Sequence, residues 1–294
     1  MWAGVRARFS QFHGNLLLTQ DQIDDGVTKH HGVRQCLNRH YYDSPSEKAN
    51  SFLIGSWCKD TRVRPPRDID LYFLLSPDVY YRFQSYAENR QSALLQEVKE
   101  VLQSTYSSTA MRGDGQVVVV RFNTINVEVV PAFPLDNGRY CICDTHDGGR
   151  YKETDPKAEV DLVQTVHANN NNNLRPLIKM LKAWQSSCSV PISSFCLELS
   201  AIDFLPQCPW RLRSYLYYDW IARDFFAFLC GRVNTFVYAP GTYEPVFLGD
   251  AWKSHAESAH NRALEACEYE YHDRIHLAGE EWQRIFGDQI PMSV

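Results

Sequence analysis

The chain has 294 residues with a formal net charge of −5, and 44% of them are hydrophobic. This length can bury a sizeable core in one large domain or two lobes, and no run reaches the roughly 18 apolar residues that span a bilayer. Proteins that hold long nucleic acids through many phosphates are usually basic, so we expect a small charged substrate, with no membrane and no sequence-specific nucleic acid as a partner.

The N-terminal segment does not resemble a secretory signal, because its apolar patch, Leu16–Leu18, is short and lacks a small-residue cleavage site. The nine cysteines are an odd number at irregular spacing, which argues against a secreted disulfide framework. Cys141 and Cys143 form a close pair, but no second pair completes a tetrahedral metal site. These features predict a cytoplasmic protein.

The first half of the chain is rich in predicted strands. Thr19 and Gln22 form a capping-box pattern that begins a helix reaching about His40. Apolar spacing and β-rich runs predict, in order, a strand at 52–54, a strand at 68–75, a helix at 93–103, a hairpin of strands at 117–122 and 126–133, and a strand within 138–143.

Beyond about residue 158 the pattern becomes helical. Apolar stripes predict helices around 174–184, 195–205 and 216–229, and an alanine stripe predicts a late helix around 256–266. The run Asn169–Asn173 is interpreted as a loop or a helix junction. Strands followed by helices predict an α+β fold with two lobes.

Three carboxylates are candidates for a metal site. Alternation along a strand places Asp68 and Asp70 on one face, with Ile69 on the other. Two ionised carboxylates this close repel each other unless cations lie between them. If the strand that carries Glu128 is a neighbour, the three oxygen ligands suit Mg²⁺. The alternative is two surface aspartates and an unrelated strand glutamate.

Gly55-Ser56 directly follows the first predicted strand and is a candidate phosphate loop. Glycine lets the backbone approach a phosphate closely, and serine supplies an N–H and a hydroxyl. Four basic residues that lie before Asp68 could screen a triphosphate, although each also fits an exposed loop. They are Lys59, Arg62, Arg64 and Arg67.

These motifs, in this order, resemble those of the polymerase-β-like nucleotidyltransferase superfamily. Gly55-Ser56 is followed by Asp68–Leu71 (DIDL) and then by Val127–Phe133 (VEVVPAF). Further segments resemble the bacterial cGAS/DncV-like nucleotidyltransferases, relatives of cyclic GMP-AMP synthase and oligoadenylate synthase, over roughly residues 20 to 270. They are Thr154–Pro156, Leu174–Trp184, Ser193–Leu199 and Gly249–Trp252.

The resemblance implies an α+β, bilobal nucleotidyltransferase with a central mixed sheet. Residues 1–157 would form the catalytic core with an N-terminal helix, and residues 158–294 a helical lobe that completes the nucleotide-binding cleft. Such enzymes make cyclic di- or trinucleotide second messengers from NTPs, here expected to include ATP and with GTP as a candidate. In bacteria the released product acts on a separate effector during anti-phage signalling.

The resemblance also implies roles for individual residues. Asp68, Asp70 and Glu128 would be catalytic and hold two Mg²⁺ ions, with Mn²⁺ as an alternative. The residues expected to bind nucleotide are Gly55, Ser56, Thr61, Lys179, Lys182, Ser194 and Phe195, the last as a platform that stacks on a base. The lysines could instead lie on a solvated helix face, Phe195 in the core, and Ser193 or Ser194 at a helix cap.

Two other hypotheses stay open at this point. A linear oligoadenylate or RNA-tailing enzyme would use the same carboxylates, although tailing needs a basic groove that a net charge of −5 does not favour. A non-catalytic nucleotide-binding or antitoxin module would usually lack a carboxylate. The zinc-binding insert of the animal synthase is absent, and the ending Ile290–Val294 differs from members that are conjugated to a partner through a small terminal residue.

Overall fold

The structure, a computed structural model, describes residues 3–294, and its contacts divide the chain into two compact units. The sheet unit comprises residues 18–62 and 66–158. The helical unit comprises the segment that ends at Leu17, the short segment Val63–Pro65, and Glu159–Val294. None of the described helices is both long and apolar enough to cross a membrane.

The first half of the chain contains most of the strands. Its elements are α1 (Ala3–Leu16), α2 (Gln20–Tyr42), β1 (Ser51–Leu53), α3 (Gly55–Lys59), β2 (Asp68–Leu74), α4 (Pro77–Gln84), α5 (Arg90–Thr105), β3 (Ala110–Asp114), β4 (Val117–Arg121), β5 (Asn126–Pro134), β6 (Tyr140–Asp144) and β7 (Arg150–Thr154). Thr19 caps α2 with the predicted capping box, in which its side chain accepts from the N–H of Gln22.

The second half is mainly helical. Its elements are α6 (Pro156–Asn169), α7 (Leu174–Ser187), α8 (Ser194–Phe204), α9 (Tyr218–Cys230), β8 (Phe236–Tyr238), β9 (Pro245–Phe247), α10 (Lys253–Tyr271) and α11 (Ile275–Phe286). The predicted α+β class with a central mixed sheet is therefore confirmed.

The sheet unit is built on one seven-stranded mixed sheet in the order β1-β2-β5-β4-β3, with β6 paired to β5 and β7 to β6. β2 and β5 run parallel, whereas β4 and β5 form the predicted antiparallel hairpin. β3 was not predicted from the sequence, because this edge strand is mostly exposed and its segment Ala110–Asp114 lacks apolar alternation.

One face of this sheet packs against α2 and α5. Ile69 and Leu71 of β2 and Val127 and Val129 of β5 are fully buried there, beside Leu37 of α2. Because side chains alternate along a strand, the residues between these positions point to the opposite face. That opposite face carries Asp68, Asp70 and Glu128.

α1 lies before the N-terminal helix predicted from the sequence, which is α2, and α1 groups with the helical unit. Its residues Val5, Phe9 and Phe12 are fully buried, and the ring centroid of Phe9 lies 5.2 Å from that of Trp282 in α11. The apolar face of α1 therefore packs in the same hydrophobic core as the helices after residue 158. Periodicity identified neither this helix nor its partner.

The asparagine run is a helix junction, as interpreted from the sequence. Asn171 and Asn172 have φ values of 53° and 59°, a left-handed region that asparagine tolerates better than most residues. The side-chain amide of Asn173 donates to the backbone oxygens of Arg211 and Arg213 at 2.8 and 2.7 Å. These asparagines fix a turn between α6 and α7.

Asp219 is a buried carboxyl at the start of α9. Its side chain is 1% exposed, and its Oδ1 has no hydrogen-bond partner among the described residues. The thiol of Cys267 in α10 lies 4.0 Å from Oδ2. Burial raises the pKa of Asp219 to about 7, although two backbone N–H groups and Arg223 favour its ionised form.

We expect this carboxyl to make stability pH-dependent. Because its folded pKa lies above the usual 3.8, its stabilising contribution is lost as pH rises through about 7. Asp219→Asn should remove most of that slope and raise the free energy of unfolding at pH 8 by on the order of 3 kcal/mol. Urea denaturation at pH 5 and pH 8 measures this, with Glu265→Gln, an exposed carboxyl of α10, as the control. An unchanged slope in Asp219→Asn would contradict the prediction.

Candidate active site

The predicted phosphate loop opens α3, directly after β1. Gly55 has a φ of 59°, a conformation that glycine adopts without the steric cost that other residues meet. A Cβ at this position would lie 1.9 Å from Oδ2 of Asp70. The backbone of the loop therefore lies directly against the second carboxylate of β2, and a side chain at position 55 would break that contact.

Two hydrogen bonds fasten the loop to the strand that carries both aspartates. The N–H of Ile54 donates to the backbone oxygen of Asp70 at 3.0 Å. The indole Nε1 of Trp57 donates to the backbone oxygen of Asp68, also at 3.0 Å. The loop is thus held at the carbonyl of each aspartate in turn.

The far end of the loop is closed by a left-handed residue and a buried threonine. Asp60 has a φ of 55° and ends α3. The N–H of Thr61 donates to the backbone oxygen of Ser56 at 3.0 Å, and Thr61 is fully buried. This main-chain bond gives Thr61 a structural role, while its predicted contact with nucleotide stays a prediction.

The three predicted carboxylates occupy neighbouring positions on two parallel strands. The register pairs Asp70 of β2 with Glu128 of β5, and it pairs Asp68 with Asn126. Burial raises the pKa of Glu128, and the negative charges of Asp68 and Asp114 raise it further. Arg112 on β3 opposes this effect. The face therefore carries concentrated negative charge.

The chemistry of these residues fits a divalent cation. Among residues 3–294, no group of three or more His, Cys, Asp or Glu side chains is gathered closely enough to hold a metal ion. The donors are nevertheless hard carboxylate oxygens, which Mg²⁺ prefers, and after burial the negative charge of Asp68 also raises the pKa of Glu128. A bound cation would relieve the repulsion between these charges.

The basic loop before Asp68 is largely committed to structural contacts. The guanidinium of Arg62 lies 5.2 Å from the ring centroid of Trp57 and also donates to that residue's backbone oxygen at 3.2 Å. Arg64 groups with the helical unit, where its Nε donates to the backbone oxygen of Asn15 at 3.0 Å. Burial lowers the pKa of Arg67, and Lys59 is 4% exposed. The loop is therefore not a cluster of freely solvated charges.

The other predicted nucleotide contacts lie on α7 and α8. Lys179 and Lys182 are only 4% and 7% exposed, so neither lies on a solvated helix face. The hydroxyl of Ser194 donates to Oε1 of Gln185 at 2.9 Å, while Ser193 is the residue that caps α8. Phe195 is partly buried against the helical core. Their contacts with nucleotide stay predictions.

Trp57, which holds the loop to β2, was not among the residues predicted from the sequence. Nothing in its local pattern distinguishes it from an ordinary core aromatic residue. The available signal was indirect: Gly26 is an isolated glycine inside the predicted first helix, and such a glycine usually has a packing reason. A Cβ at Gly26 would lie 2.5 Å from the ring of Trp57.

The chain matches a known family over more than half its length. The sequence profile described as the Second Messenger Oligonucleotide or Dinucleotide Synthetase domain matches residues 4–167. A cyclic AMP-AMP-AMP synthase of Acinetobacter sp. is 23% identical over 171 residues, which are 55% of this chain and 47% of that protein. The match thus spans about half the length of that relative.

A second relative and a solved structure align with more of the chain. A probable cyclic nucleotide synthase of Bacillus cereus is 21% identical over 293 residues, covering 81% of each protein. The structure of CdnC from E. coli MS115-1 with ATP superposes with a TM-score of 0.67 at 17% identity, covering 98% of both chains. At this identity the structural likeness shows the fold.

Proposed function

Because this chain belongs to the Second Messenger Oligonucleotide or Dinucleotide Synthetase domain family, we propose that it synthesises a cyclic di- or trinucleotide from NTPs, ATP among them. The observation that carries the proposal is the pairing of Asp70 with Glu128 on parallel strands, with the Gly55 loop against Asp70. This arrangement supports transfer of a nucleotidyl group, since a phosphate bound by the Gly55 loop would lie beside the carboxylates.

Asp68, Asp70 and Glu128 would hold two Mg²⁺ ions, or Mn²⁺ in their place. Bound there, the ions would activate the attacking hydroxyl and stabilise the pyrophosphate leaving group. Because Gly55 has no side chain, its backbone lies directly against Asp70, and a phosphate bound by the loop would therefore lie close to the carboxylates. The N–H and hydroxyl of Ser56 would donate to the donor triphosphate.

The helical unit would supply the remaining contacts. Lys182, with Lys179 one turn away, would neutralise phosphate charge, and Ser194 would donate a hydrogen bond to the same group. Phe195 would stack on a base. Both lysines are almost fully buried, so their proposed contacts with phosphate would be shielded from solvent and correspondingly stronger.

The reaction would run in two rounds at one set of carboxylates. The 3′- or 2′-hydroxyl of one nucleotide attacks the α-phosphate of a second, and pyrophosphate leaves. The linear intermediate then reorients, and its free hydroxyl attacks its own α-phosphate. For a dinucleotide, this step closes the ring and releases a second pyrophosphate. A trinucleotide needs one more round.

We place this activity in the bacterial cytoplasm, in anti-phage signalling, where the product would act on a separate effector. All nine cysteines lie within the described residues and are free, which suits a reducing compartment. The acidic net charge of −5 supports free nucleotides rather than long nucleic acids as substrates.

The product test is incubation of the purified chain with all four NTPs and Mg²⁺ or Mn²⁺. We expect release of pyrophosphate and a phosphatase-resistant small product, which mass spectrometry and nuclease P1 digestion would identify. A ladder that grows only when RNA is added would support the tailing alternative, and a phosphatase-sensitive linear series the oligoadenylate one. Binding of ATP without pyrophosphate release would overturn the proposal in favour of a non-catalytic module.

A further inference from the structure

Trp57 connects the phosphate loop to two other elements of the sheet unit. Its indole N–H donates to the backbone oxygen of Asp68 in β2 at 3.0 Å. Its six-membered ring lies against α2 at Gly26, where a Cβ would approach Cη2 to 2.5 Å and Cζ2 to 2.8 Å. One side chain on α3 therefore contacts both the carboxylate strand and the long helix beneath it.

Two further side chains, those of His30 and Arg62, contact the ring of Trp57. His30, one turn after Gly26 on α2, lies edge-on to it with ring centroids 6.3 Å apart, and His30 is 4% exposed. The guanidinium of Arg62 lies 5.2 Å from its centroid. Together with the hydrogen bond to Asp68, these contacts restrict the position of the indole.

We propose that Trp57 is a positioning residue that sets the separation between the Gly55-Ser56 loop and the strand of Asp68 and Asp70, and that Gly26 is the position on α2 that makes room for it. The inference rests on the proposed function, because it concerns the site where a donor triphosphate would meet the carboxylates. Neither residue touches a reacting atom.

α3 is too short to hold its own position. A helix of five residues is unstable in isolation, so its place depends on what it contacts. Its N-terminal side is fastened by the bond from Ile54 to Asp70, and Trp57 fastens the next turn to Asp68. A displacement of about 1 Å at such a site can cost roughly a hundredfold in rate.

The first experiment is Gly26→Ala in the full chain. Its Cβ would meet the ring of Trp57 at 2.5 Å, whereas Cδ1 of Ile69 lies farther away at 3.2 Å. The ring therefore has to shift, and we expect kcat for product formation to fall about tenfold or more. The matched control is Gly32→Ala on the same helix, whose Cβ would meet only Tyr106, with its Oη at 2.5 Å. Both changes favour helix equally, so a shared effect on stability cancels in the comparison.

The second experiment is Trp57→Phe, alone and with Gly26→Ala. Phenylalanine lacks both the indole N–H and the outer ring atoms that lie against Gly26. We therefore expect Trp57→Phe to lower kcat severalfold and Gly26→Ala to add less than about twofold in that background, since the two act on one contact. Full additivity of the two changes would overturn the inference.

A readout independent of activity is amide hydrogen exchange over residues 54–61. Gly26→Ala should speed exchange of this segment relative to the original chain, Gly32→Ala should not, and Trp57→Phe should relieve the effect. Thermal unfolding identifies any variant that fails to fold. If Gly26→Ala does not fold, the inference is tested by kcat and exchange in Trp57→Phe. Unchanged exchange and kcat in Gly26→Ala would overturn the inference while the proposed function stands. Absence of product from the original chain would overturn the proposed function, and exchange would still decide whether Trp57 holds the loop.

Discussion

Replacing Asp68 and Asp70 together by alanine is expected to abolish consumption of NTPs while leaving the protein folded. The two side chains lie on the face of β2 away from the apolar core, which is formed by the alternate residues Ile69 and Leu71. Loss of several kcal/mol of transition-state stabilisation corresponds to a fall in rate of at least roughly a thousandfold. Pyrophosphate release measures the effect.

The double variant should lose activity without losing stability. Burial raises the pKa of Glu128, and the negative charge of Asp68 raises it further. Removing that charge relieves repulsion in the folded state, so we expect a melting temperature equal to or above that of the original chain. The control is Asp136→Ala, an exposed aspartate of the sheet unit, which should change neither quantity. Full activity in the double variant would disprove the catalytic assignment.

Gly55→Ala is expected to have the second largest effect. The new Cβ would lie 1.9 Å from Oδ2 of Asp70, far inside van der Waals contact, so the loop or the carboxylate must move. The left-handed φ of 59° adds about 1–2 kcal/mol of backbone strain. We expect kcat/KM to fall about a hundredfold, as measured by initial rates of product formation.

Gly138→Ala is a control that shares the backbone strain of Gly55→Ala but not its contact with a carboxylate. Gly138 has a φ of 81°, also in the left-handed region, but a Cβ there would meet no other described heavy atom within 4 Å. This variant should lose a comparable 1–2 kcal/mol of stability and keep normal kinetics. Equal kinetic losses in both variants would show that backbone strain, and not the contact with Asp70, explains the result at position 55.

The local features of the candidate site were predictable because they depend on neighbours in the sequence. Alternation within β2 predicted that Asp68 and Asp70 share a face opposite Ile69, and the fold confirms this. The hairpin of β4 and β5 was also predictable, since a short connection makes antiparallel neighbours. The capping box at Thr19 likewise involves residues three apart.

Residues that are exposed or that pack at long range were less predictable. β3 lacks alternation because it lies at the sheet edge with most of its side chains in water. The alanine stripe predicted a late helix, which is α10, and Ala256 and Ala263 of that stripe are fully buried. The partner of that face could not be inferred, because small residues permit close approach by any helix.

The sequence by itself determined the types of residue available for chemistry, their faces on each strand, the α+β class and the family. The tertiary structure decided which strand lies beside β2: the parallel pairing that sets Asp70 next to Glu128 joins distant segments, and no local period encodes it. It also decided that α1 packs in the helical unit and that Gly26 makes room for Trp57. Burial of apolar surface selects such contacts among many possible pairings, so they follow from the whole chain and from no single segment.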